Sequence, residues 1–148
     1  MVDIIIMSVA GGITFVGICF FLHHQFSHAH KLKQKLTLAK KSLTTSPSSL
    51  LKEEYEQIYN LYFKLSEKKK RHFYTSIIEL RTAVEDQLKA LKRLEIILEQ
   101  FPQTPPASKK ALLDEIDELS HQISIKDQEK YTPTILHLHQ ELEKETTS

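Results

Sequence analysis

Four of the eight histidines fall within one eight-residue stretch: His23, His24, His28 and His30. On a helix His24 and His28 share a face, and that i, i+4 spacing can set two imidazoles on one zinc or copper ion. A complete site needs further ligands. The next carboxylate along the chain is Glu53, and the single cysteine, Cys19, lies upstream in an apolar run. Amphipathic rings at a membrane–water boundary account for the cluster more simply, so metal handling by His24 and His28 is the lesser reading. His137 and His139 stand two apart, face different sides of a helix and do not suit ligation.

The densest basic run is Lys68, Lys69, Lys70 and Arg71, followed by His72, Phe73 and Tyr74. It could meet phosphate groups, an acidic protein surface or anionic lipid, but a solvated turn between helices is the simpler account. It is the candidate interaction site of this chain. Enzymatic arrangements are missing: there is no glycine-rich phosphate loop, no HExxH, no nucleophile elbow and no cysteine beyond Cys19. Asp114/Asp117 and Glu115/Glu118 have helix-face spacing but no histidine beside them, so no carboxylate-bridged metal centre is expected. The expectation is a non-enzymatic protein without a cofactor.

The chemistry-bearing residues are arranged around one dominant feature. Ile4 to Leu22 is a run of 19 residues without a charge. At helical rise it spans about 28 Å, close to the hydrocarbon thickness of a bilayer. Asp3 ahead of it and the bulky FFLHHQF behind it do not fit a cleaved signal peptide. Ile18 before Cys19 does not fit a lipoprotein site. The run is expected to be an uncleaved single-pass anchor over residues 1–24. Lys31, Lys33, Lys35, Lys40 and Lys41 trail it and no basic residue precedes it. This places the N-terminus outside and the bulk of the chain in the cytoplasm, with those lysines at the membrane surface.

Glycine occurs only at Gly11, Gly12 and Gly17, inside the run, and the one asparagine is Asn60. Tight β-hairpins draw on such residues, so the rest of the chain is expected to be all-α. Residues 25–43 read as a basic helical stem and 44–49, around Pro47, as a linker. Residues 50–146 read as a soluble antiparallel bundle of about four helices. Leu51, Tyr55, Ile58, Tyr62 and Leu65 mark one helical face. Ile77, Leu80, Val84, Leu88, Leu91, Leu94, Leu98 and Phe101 mark a longer, coiled-coil-like one. A turn near 66–72 joining two helices is the simplest account of the phase break between them; one helix from Ser48 to Gln100 is the alternative. FPQTPPAS (101–108) ends the long stripe. Leu112, Leu113, Ile116, Leu119 and Ile123 mark the following helix, and a break at 126–131 is expected before a last helix opening at Thr132-Pro133.

From position 46 onward there are 15 basic and 18 acidic residues, a balance that does not suit general nucleic-acid binding. The expected role is a membrane-anchored helical adaptor or scaffold that recruits or organises a protein partner, with self-association along the Ile77–Phe101 stripe as a further expectation. A structural subunit of a larger membrane complex is the alternative. The layout is shared by many unrelated scaffold and secretion-apparatus components, so it names no partner.

Overall fold

The computed structural model describes residues 27–147, with side chains as far as Lys144. Among these residues there are five α-helices and no strand: α1 over 27–42, α2 Ser48–Phe63, α3 Glu67–Gln100, α4 Pro106–Ser120 and α5 Ile125–Thr147. A 3-10 turn at Phe101–Gln103 follows α3 directly. No described residue has a positive φ. The turns are therefore made without the left-handed conformation that glycine would supply. Between α2 and α3 the amides of Lys64 and Leu65 bond back to the Leu61 and Tyr62 carbonyls, at 3.2 and 3.1 Å, tightening the helix end. Ser66 then turns extended, with ψ 154°, and starts α3.

Two cores lie one after the other along α3. The first gathers Leu32, Leu36 and Ala39 of α1, Leu51 and Ile58 of α2, Leu65 of the turn, and Ile77, Leu80 and Val84 of α3. The second gathers Ala90, Leu94 and Ile97 of α3, Phe101 of the 3-10 turn, Leu113 and Ile116 of α4, Ile123 of the loop that follows, and Leu138 of α5. The molecule is thus two three-helix bundles that share one 34-residue helix, about 50 Å long. A stripe of this length cannot be covered by one 16-residue neighbour such as α2, so two successive sets of helices cover it.

Polar groups hold the waist between the bundles. The Ser48 amide and hydroxyl both donate to Asp127 Oδ2, at 2.9 and 2.6 Å, and the Ser124 hydroxyl donates to the same oxygen at 2.9 Å. The Asp127 amide donates back to Ser124 Oγ at 3.1 Å, a reciprocal cap at the start of α5. One carboxylate therefore serves the N-termini of α2 and α5, where the helix dipoles favour negative charge. Both serines are fully buried. The Ile125 amide reaches the Thr44 carbonyl at 2.9 Å, and Gln87 Nε2 of α3 reaches the Leu43 carbonyl at 2.8 Å.

Several expectations change. The stretch read as a stem is part of the first bundle: Leu32 is 0% and Leu36 5% exposed. Burying each such leucine contributes about 1.5–3 kcal/mol, which a free-standing stem would forgo. The turn lies at 64–66, so the basic run sits in the first turns of α3 and not in the loop. The last helix starts at Ile125, eight residues before Pro133, and runs through that proline. The Ser124–Asp127 cap fixes the start, and Pro133, at an exposed position inside α5, removes one backbone hydrogen bond from the helix. Of the stripe expected to serve self-association, Ile77, Leu80, Val84, Leu94 and Phe101 are each at most 3% exposed and pack within the chain. Among the described residues no helix is long and apolar enough to cross a membrane. The run Ile4–Leu22, for which a membrane span was expected, lies outside them.

Candidate functional site

The α2–α3 hairpin tip presents the most concentrated surface chemistry among the described residues. Lys68 and Arg71 are exposed and enter no ion pair among those residues, whereas Lys70 Nζ lies 2.9 Å from Glu67 Oε1 and 5.0 Å from the Phe63 ring centroid. Phe63 itself is 66% exposed. Its ring stands 6.0 Å from that of Tyr59, which stands 6.0 Å from Tyr55 and 6.1 Å from Tyr62, an aromatic ladder that climbs α2 to the tip. Tyr55 and Tyr62 lean on the core while Tyr59 and Phe63 face outward. His72 and Phe73 are edge-on at 5.1 Å, with Phe73 packed against the core.

The electrostatics of this tip run against helix stability. Three lysines and an arginine crowd the N-terminal end of α3, where the helix dipole is already positive, and Glu67 is the only acid in the first turn. Ser66 makes no side-chain cap hydrogen bond. The local field is therefore positive and opens to solvent.

Internal contacts set the level of the tip along the bundle. Lys40 Nζ meets Glu79 Oε2 at 2.7 Å, and Lys33 and Thr37 flank the same concavity as His72 and Ser76, so α1 and α3 run parallel with an offset of about 39 residues. Lys35 Nζ donates to Gln57 Oε1 at 2.8 Å and Ser42 Oγ to Glu54 Oε2 at 3.2 Å, which makes α2 antiparallel to α1. Both registers place Phe63 and Lys68–Arg71 level with residues 29–32, at the end where the chain enters α1.

The lysines of α1 separate along the same axis. Lys31 and Lys33 stand near the entry end. Lys35 and Lys40 are engaged with Gln57 and Glu79 across the bundle, and Lys40 and Lys41 lie at the waist, about 15 Å from Lys31. His24 lies outside the described residues, so the His24/His28 pair is not placed; His28 is half-buried. His30 Nε2 meets Gln34 Nε2 at 3.0 Å, the amide donating. No group of three potential metal ligands occurs among the described residues.

A second concavity of about 320 Å³ lies between α4 and α5, where His139 Nε2 meets Asp117 at 3.1 Å. The neighbouring Ser120 hydroxyl donates to the Asp117 backbone carbonyl at 2.7 Å. His137 turns to Glu141 instead, at 3.8 Å. Two tyrosines are perturbed, one in each bundle: burial pushes the Tyr55 phenol up, and burial followed by the hydrogen bond to Glu95 does the same for Tyr131.

Reading residue types along the chain found the basic run but missed Phe63 as its exposed companion and missed Asp127 altogether. The Ser124-x-x-Asp127 spacing is a capping pattern legible in the sequence. The second use of that carboxylate, on Ser48, needed the fold. Comparison with protein-family models, curated proteins and solved structures yields no match.

Proposed function

We propose that this chain is a single-pass, membrane-anchored, non-enzymatic adaptor. Ile4–Leu22 holds it in the bilayer, the lysine-rich side is cytoplasmic, and the helical rod recruits or organises a protein partner at the membrane. The observation that carries this reading is where the uncharged run joins the folded part. Only nine residues separate Leu22 from Leu32, which is fully buried in the first core, so the run feeds directly into one end of the rod. Tethering converts a weak partner contact into an effectively local one.

A structural subunit of a larger membrane complex is the second reading, and it draws on exposed apolar side chains along the rod: Leu38 at 65%, Leu50 at 50% and Leu136 at 55%. The test is twofold. Alkaline carbonate washing of native membranes should leave the intact chain in the pellet, and protease added to sealed vesicles should spare or remove a C-terminal tag according to orientation. Release of the chain by carbonate overturns the anchor. Proximity labelling from the C-terminus then separates the readings, because a few substoichiometric neighbours fit an adaptor and a fixed stoichiometric set fits a subunit.

A further inference from the structure

We infer that the α2–α3 tip is a second, reversible membrane contact, in which Lys68 and Arg71 meet anionic lipid headgroups and Phe63 enters the interface beside them. This rests on the anchor reading above and adds to it a surface the anchor does not supply.

Three observations converge. The tip combines unpaired positive charge with an exposed aromatic ring, the composition of an interfacial contact: cations attract the acidic headgroups while an amphipathic or apolar ring seats at their level. The register of α1 against α2 and α3 brings this tip to the entry end of the rod. Six residues separate Leu22 from Ala29, so even a fully extended chain keeps Ala29, which is level with the tip, within about 25 Å of the end of the apolar run.

The charge distribution of the whole molecule agrees. Residues 27–88 contain 12 basic and 7 acidic residues, while residues 89–148 contain 8 basic and 11 acidic. An anionic surface attracts the first bundle and repels the second, which orients the rod end-on. A soluble phosphate is a poorer occupant, because it would need converging donors in a pocket, and Lys68 and Arg71 stand exposed on a convex helix end. A nucleic acid is poorer still, because the aromatic ladder leads away from the basic turn along α2 and offers no groove that tracks a strand.

The chain contains no tryptophan, so Phe63→Trp makes a single-tryptophan reporter at an exposed position. The full chain carrying it is reconstituted into vesicles of phosphatidylcholine alone or mixed with phosphatidylglycerol, with brominated phosphatidylcholine as quencher. Blue-shifted, quenched emission in the anionic vesicles and not in the neutral ones is expected. Lys68→Gln and Arg71→Gln should each weaken tip occupancy about fivefold, and added salt should reverse it. Equal emission in both vesicle types, indifference to both glutamine variants, or displacement by inorganic phosphate at matched ionic strength overturns the inference. Should Phe63→Trp disturb the fold, hydrogen exchange of the unsubstituted chain supplies the readout: protection over 63–71 must rise in anionic vesicles only. Failure of the chain to float with vesicles at all sinks the anchor instead, and flotation is scored before emission is read.

Discussion

At its N-terminal end α3 carries Lys68, Lys69, Lys70 and Arg71 beside a two-thirds exposed Phe63; at its C-terminal end Phe101 is 2% exposed and residues 101–108 hold no charge. Both ends turn a helix through a tight reversal, and they do so by opposite means. The distal turn buries its aromatic and stiffens itself with Pro102, Pro105 and Pro106, whose fixed φ lowers the entropy lost on folding. The proximal turn has no proline, leaves an aromatic outside and stacks like charges on the positive pole of a helix dipole. A turn selected only to close a bundle would resemble the distal one. The proximal turn keeps features that oppose folding, and such departures from local consistency mark surfaces kept for another purpose.

The comparison can be broken most forcefully through the shared helix. Ile97→Ala and Ile58→Ala each remove a side chain that is at most 1% exposed, one in each core, and each should cost about 2–5 kcal/mol. Because α3 belongs to both bundles, helical circular dichroism and tyrosine fluorescence should report a single urea transition in either variant. Two transitions would show that the halves fold separately and that the waist is a joint.

Asp127→Ala attacks the waist itself. It strips two helix N-termini of their acceptor and leaves the Ser48 amide and two buried hydroxyls without it, a loss of about 1–3 kcal/mol. Hydrogen exchange should accelerate at residues 44–48 and 124–128 ahead of the two cores. Unchanged exchange there would mean the clasp contributes little.

Lys68→Glu sharpens the contrast between the ends. Placing an acid in the first turn of α3 should stabilise the fold by about 0.3–1 kcal/mol, read as a raised urea midpoint in detergent micelles. The same change should weaken the tip's contact with anionic vesicles. A variant that gains stability and loses the contact would separate the two demands on one residue.

The smallest expected effect is at alkaline pH. Tyr55 and Tyr131 have folded-state values raised above the ordinary value of about 10, so the fold binds these protons more tightly than the unfolded chain. Their contribution to stability is complete below that value and is lost as pH rises through the folded ones. Absorbance titration should show Tyr55 and Tyr131 ionising late, with Tyr55→Phe removing one late component from the first bundle and Tyr131→Phe one from the second.

The helical character was legible because glycine stops at Gly17 and the apolar spacing repeats at three and four residues. The hairpin was legible because a seven-residue extension from Leu65 lands on the polar His72, Glu79 and Asp86. Its exact turn was not, since the polar stretch 66–72 belongs mostly to a helix that starts against its own dipole. The role of α1 was hidden because its buried face is narrow: Leu32, Leu36 and Ala39 advance by four and three, but lysines surround them and Leu38 lies off the stripe, 65% exposed. Pro133 misplaced the start of the last helix because a proline fits a first turn better than an interior, and a cap eight residues earlier prevailed. Of the candidate site, the charges could be read from the chain, while the exposure of Phe63 and the level at which the tip stands could not, because both are set by packing between segments far apart in sequence.

An unbroken α3 makes the molecule a lever. Its 34 residues run roughly 50 Å from the basic tip to the far end of the acidic bundle, and no loop interrupts the path between them. Tilting one end by about 10° would sweep the other through about 9 Å, so a small change in how the near end is seated would be felt as a large displacement at the far one.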